Sequence, residues 1–205
     1  MLLRLDRVRG TLLGLAAGDR IGGPIRMALQ LGESLLALGR FDANNVGARY
    51  LAWWRSGGFD TGLTARRVFD LVGTGVSFTD AAAQTHIEAK GLTAGCNPTH
   101  RSAALAMLAA IPDEALADAA ISEARLTHVH PLAGDVSAAA VVLRRALIRG
   151  LPWQEALHVA KRGRLDETVA ALSPGGFRWR AGGYSPDTWQ RRSISCRNTM
   201  ISQPP

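Results

Sequence analysis

Apolar residues along this chain recur at spacings of three and four. Leu5, Val8, Leu12 and Leu15 form one such stripe, which predicts an amphipathic helix with one buried side. It stops at Gly18-Asp19-Arg20-Ile21-Gly22-Gly23-Pro24, too rich in glycine and too firmly closed by proline to stay helical. Further helices are expected over 25–38, 46–55, 63–72 and 79–89, the last with Thr79 or Asp80 near its cap. Asn97-Pro98 reads as an N-cap followed by proline at the first helical position, opening a helix to residue 110. Pro112-Asp113-Glu114 opens another, its acids in the first turn where the helix dipole favours them. Val136, Ala140, Leu143 and Leu147 mark a long helix over 132–149, with Arg144, Arg145 and Arg149 on its outer face. Two shorter helices are expected over 152–162 and 165–172. No stretch alternates with period two. The pattern predicts an all-α fold, a compact multi-helix bundle joined by short loops.

Composition agrees and narrows the class. Ala and Leu dominate an apolar content of 47%, which suits helix and leaves few of the β-branched residues that strands favour. The 205 residues suffice for one core and do not demand two. Arg, Asp or Gly interrupts every apolar run short of the ~18–20 residues a membrane span needs. The opening Met1-Leu2-Leu3-Arg4-Leu5-Asp6-Arg7 lacks the unbroken apolar stretch of a signal peptide. Cys96 and Cys196 make no disulfide framework, so a cytoplasmic protein without a membrane partner is expected.

The net charge of +7 invites a nucleic-acid partner until it is located. From Arg178 onward five arginines face one acid, Asp187; residues 1–177 hold 19 basic and 16 acidic side chains. A body so nearly balanced, with no aromatics interleaved among its bases, has no phosphate-tracking stripe, and no nucleic-acid partner is expected.

Four glycine-marked polar junctions lie between the helices, at 18–24, 57–62, 95–101 and 127–131. Glycine lets a ligand approach backbone amides, and helix N-termini favour anions, so a pyrophosphate-bearing ligand suits such a set. In this order the junctions resemble the ADP-ribosylglycohydrolases, the family that includes the dinitrogenase reductase-activating enzymes. Arg9-Gly10-Thr11-Leu12-Leu13-Gly14-Leu15-Ala16-Ala17-Gly18-Asp19-Arg20-Ile21-Gly22-Gly23-Pro24 is similar to the family's opening helix running into Gly-Asp-Ala-Leu-Gly. Thr127-His128-Val129-His130-Pro131 resembles its Thr-His segment. Gly95-Cys96-Asn97-Pro98-Thr99-His100-Arg101 stands where the family has Gly-Asn-Gly-Ser-x-Met-Arg. The resemblance covers residues 7–189. It implies a compact helical bundle around a cleft, and hydrolysis of a glycosidic bond to ADP-ribose with Mg²⁺ or Mn²⁺. An ADP-ribosylated protein or a small ADP-ribose-type ligand would be the partner.

The chain also departs from that pattern. Where the family has Thr-Asp-Asp-Thr, with the first threonine and both aspartates holding metal, this chain has Gly58-Phe59-Asp60-Thr61. A family glutamate that contacts substrate falls at Arg26, and the C-terminal Gly-Gly-Asp-Thr-Asp-Thr has no counterpart. Gly182-Gly183-Tyr184-Ser185-Pro186-Asp187-Thr188-Trp189 looks like the family's lead into its last helices. Helical periodicity then ends. The expected division is a helical domain over 1–189, incomplete at its C-terminal end, and an irregular basic tail over 190–205, from a frameshift or truncation near Gln190.

The residues so marked have two readings each. Asp60 is the candidate catalytic carboxylate and, with Thr61, the metal-side pair that the resemblance implies; it equally suits the N-cap of the next helix. Asp19, Gly22, Asn97 and His128 are candidate substrate contacts. Asp19 also suits a turn brace, Asn97 a cap, and His128 with His130 structural hydrogen bonding. Trp53 and Trp54 suit core or groove lining. Cys96 sits at a helix start, where a thiolate is favoured, with no base in the sequence to activate it. Two functions stay open, a hydrolase and a metal-free binding module or pseudoenzyme, beside a decayed fragment.

Overall fold

The computed structural model describes residues 2–19, 21–173 and 184–186. Ten α-helices are present among them: α1 (Leu2–Gly18), α2 (Gly23–Leu38), α3 (Ala43–Arg55), α4 (Gly62–Gly73), α5 (Phe78–Glu88), α6 (Asn97–Arg101), α7 (Asp113–Arg125), α8 (Pro131–Arg149), α9 (Trp153–Lys161) and α10 (Asp166–Ala171). A 3-10 helix, Ser102–Ala106, follows α6 directly. No strand occurs among the described residues, only an isolated antiparallel bridge between Gly95 and Tyr184. None of these helices is long and apolar enough to cross a membrane. The expected tail over 190–205, and the glycines and tryptophan of its lead-in, lie outside the described residues.

The bundle is built around α8. Most of its residues are buried, on every side, because they are small: Ala133, Gly134, Ser137, Ala138, Ala139 and Ala140 run in near succession. Such a helix is apolar all round and belongs at the centre rather than on a face. The α7 helix packs close enough that a Cβ at Gly134 would touch Ile121 at 3.4 Å. The main core lies beside it, where Met27 and Leu31 of α2 meet Tyr50 of α3, Phe69 of α4 and Leu116 of α7. Trp53 and Trp54 are half-buried against this core as expected, their rings beside Phe59 and Phe69 at 6.3 and 5.6 Å.

Four local expectations are corrected. Leu5 is exposed, so the α1 stripe seats only from Val8 to Leu15. Ser77, not Thr79 or Asp80, caps α5, accepting from the Asp80 amide at 3.1 Å. The helix expected over 97–110 ends at Arg101 and tightens into the 3-10 helix. Arg145, expected on the outer face of α8, is buried and explains that break. Its guanidinium donates to the carbonyls of Leu105, Ala106, Leu108 and Ile111 at 2.7–3.2 Å, and to Asp113 at 2.9 Å. Those carbonyls find a buried donor instead of the amides of a continuing helix. Burial holds the Arg145 pKa below its usual value, with Asp113 opposing the shift.

Candidate functional site

The glycine-marked junctions meet. A cavity of about 960 Å³ is lined by Asp19 from the first, Asp60 and Thr61 from the second, Asn97 from the third, and His128 and His130 from the fourth. Each junction precedes a helix, so the N-terminal ends of α2, α4, α6 and α8 converge on one cleft. The amides of a helix's first turn lack intrahelical partners and carry the positive end of its dipole. Two of these ends are closed by side chains. Asp19 accepts from Gly22 at 3.0 Å and Ile25 at 2.7 Å, and His130 Nδ1 accepts from the Leu132 amide at 3.2 Å. No side chain caps α4, whose first turn, Gly62-Leu63-Thr64, lines the cleft.

Glycines bring the junctions together. A Cβ on Gly23 would stand 2.5 Å from the carbonyl oxygens of both Phe59 and Asp60, so only glycine lets the start of α2 seat against that turn. Asp60 itself has φ 53, the left-handed region that Asp tolerates better than most residues. It is exposed, and among the described residues it takes no hydrogen-bond or ion-pair partner. It does not cap α4; Thr61 occupies that position, buried, its hydroxyl donating to the Gly62 carbonyl at 3.3 Å. Gly95 does for His128 what Gly23 does for Asp60: a Cβ there would lie 2.9 Å from Nε2.

His128 is held by Thr127, whose hydroxyl pairs with Nδ1 at 2.8 Å. Burial, and then the nearby charge of Arg101, push its pKa down to about 3, so the ring is neutral at physiological pH. His130 is also shifted down, by burial and by His86, whose ring stands 6.1 Å away. Asn97 is not the N-cap of α6; Cys96 is, and Asn97 is the first helical residue with its Oδ1 accepting from Arg101 at 2.7 Å. Gly22 lies between the lining residues Ile21 and Pro24 without lining the cleft itself. Its φ of 104 admits the turn that Asp19 braces.

Behind Asn97 is a polar network of which the sequence marked only Arg101, the arginine that closes the 95–101 segment. Arg101 and Glu123 are fully buried and paired at 2.5 Å, and Arg101 also donates to the Glu123 carbonyl at 3.2 Å. Tyr50 donates to Glu123 at 2.7 Å, and the guanidinium lies 5.1 Å from the centre of its ring. Burial first, then the Glu123 charge, raise the Tyr50 pKa well above its ordinary value, so its hydroxyl keeps the proton it donates. The same junction is also pinned from far along the chain. Ser185 donates its amide to Ala94 at 2.8 Å and its hydroxyl to Gly95 at 2.6 Å, which sets Tyr184 in the lining.

Mg²⁺ and Mn²⁺ take several oxygen ligands. Among the described residues no group of three His, Cys, Asp or Glu stands close enough to hold an ion. Both Asp19 oxygens serve backbone amides, which leaves Asp60 as the one uncommitted carboxylate among the described residues that line the cleft. Arg26 and Phe59, at two positions where the resemblance implies carboxylates, face one another with the guanidinium 5.8 Å from the ring centre. The described donor set does not fit the metal pair.

The architecture is an all-helical bundle whose helix N-termini gather around a glycine-walled cleft, an arrangement that offers positive dipole ends to an anion. The chain belongs to the ADP-ribosylglycohydrolase family, whose model matches residues 25–194. That match begins after the Arg9–Pro24 motif on which the sequence resemblance chiefly rested. A solved structure, an ADP-ribosylglycohydrolase-related protein complex, is similar at 26% identity and a TM-score of 0.68, over 93% of this chain and 75% of that chain. No curated protein matches the sequence.

Proposed function

We propose that this cleft binds an ADP-ribose-type ligand, free or carried on a protein, without a metal centre built from the described residues. The observation that carries this is the pairing of Arg26 with Phe59 beside a solitary Asp60. Where the resemblance implies metal-holding and substrate-contacting acids, this chain has a cation–aromatic pair. The diphosphate would lie against the uncapped first turn of α4, where unpaired amides and the dipole favour anions. Asp19, Asn97 and His128 would line the remainder of the ligand.

A second reading, hydrolysis of the glycosidic bond, is favoured by Asp60 itself. A residue at φ 53, packed against Gly23 and with a solvent-facing carboxylate in the cleft, is the kind of constrained group that active sites retain. Calorimetry with ADP-ribose separates the two. Binding that is unchanged by Mg²⁺ or by a chelator, and nearly unchanged in Asp60→Ala, supports the binding module. Binding that requires Mg²⁺ and is lost in Asp60→Ala overturns it in favour of the hydrolase, and release of ADP-ribose from a modified protein would then be measurable.

A further inference from the structure

We propose that Arg101 is a positioning residue that fixes the Asn97 amide so the cleft offers a ligand an N–H donor at that point. This inference rests on the cleft being the ligand site. An arginine side chain carries five N–H donors and no acceptor, so the Asn97 atom facing it at 2.7 Å must be the oxygen. The amide is planar, which leaves Nδ2 as the polar end for the cleft that Asn97 lines. Were the amide free to rotate, it would offer donor and acceptor alike and recognise neither.

Arg101 cannot turn away from this task. Its Nε is bound to Glu123 Oε1, a second nitrogen to the Glu123 carbonyl, and Tyr50 both covers the guanidinium and donates to the same carboxylate. Every group in the chain is buried, so reorienting any of them would strand a charge away from water. Asn97 and Arg101 are four apart, one turn of α6, which places both on one face. In the family's segment the asparagine stands one residue earlier, so this pairing belongs to the present chain. The ligand group opposite is an acceptor: a phosphate, ribose or carbonyl oxygen.

The substitution Asn97→Asp tests the polarity. A carboxylate keeps an acceptor for Arg101 but presents oxygen, and negative charge, to the cleft. The fold should be retained, with an unchanged or higher Tm, while affinity for ADP-ribose falls roughly tenfold or more. Affinity within about twofold of wild type, with the fold intact, overturns the proposal. A second measurement needs no ligand. In the wild-type protein the Asn97 side-chain amide should give a resolved NMR pair that collapses toward solvent-like positions in Arg101→Lys; an amide already averaged in wild type also overturns it. If ADP-ribose does not bind wild type while the amide is ordered, the binding assignment fails and the positioning role stands.

Discussion

Lowering the pH from 7 to 5 puts the folded and unfolded chain on opposite sides of one titration. His128 is buried, and its pKa is about 3 in the fold against 6.5 in an unfolded chain. The neutral ring is therefore favoured by folding. Its contribution is complete above pH 6.5 and is lost as pH falls from there toward 3, where the unfolded chain binds the extra proton. At about 1.4 kcal/mol per pH unit, roughly 2 kcal/mol should be gone at pH 5 and about 4 kcal/mol by pH 3. That is a large part of the ~5–15 kcal/mol by which a domain is stable. Urea unfolding at pH 7 and pH 5, on wild type and His128→Gln, isolates the effect. His130 adds a slope of the same sign, which cancels because both proteins keep it. Wild type should lose about 2 kcal/mol more than the variant over that interval. Equal losses, or a His128 ring that titrates near 6.5 in the folded protein by NMR, would refute the reasoning.

Two further substitutions probe the scaffold. Gly23→Ala puts a methyl 2.5 Å from two backbone oxygens, so the turn bearing Asp60 must move; a loss of about 1–3 kcal/mol by denaturant titration is expected, and no loss would mean that the approach is slack. Arg145→Met should cost about 3–5 kcal/mol, because the carbonyls of Leu105, Ala106, Leu108 and Ile111 lose a buried charged donor together. A loss under about 1 kcal/mol would show that the 3-10 segment finds other partners.

Where the helices lie was legible because their apolar stripes repeat within each segment. The core residues Met27, Leu31, Val136, Ala140 and Leu143 all stand on such stripes. The failures share one cause. Arg145 looks solvent-facing by its spacing beside Arg144 and Arg149, yet its partners lie 32–40 residues away. Long-range partners of that kind leave no periodic trace, so both the burial of Arg145 and the break of the helix after Arg101 were invisible. Asn97-Pro98 likewise carries the local chemistry of a cap, and the asparagine was claimed instead by the arginine one turn ahead. That competition was readable in principle, since a spacing of four places the two on one face.

The cleft of the candidate site was legible in outline for a different reason. Glycine-rich junctions are forced on the chain by backbone approach, and approach is what a cleft made of helix ends requires. Gly23 against Asp60 and Gly95 against His128 are two instances of one device: a missing side chain on one junction makes room for a polar one on another. What fixes the polar groups thereafter comes from the core. Glu123 lies within the ordinary helical run Ile121-Ser122-Glu123-Ala124-Arg125, with no local sign that it is fully buried. It is tolerated there because Arg101 neutralises it and Tyr50 donates to it, and Arg101 in turn holds Asn97 at the cleft. A change to Glu123 would therefore strand the arginine charge and release the amide in one step. The stability of this fold and the recognition proposed for its cleft therefore meet at one buried guanidinium.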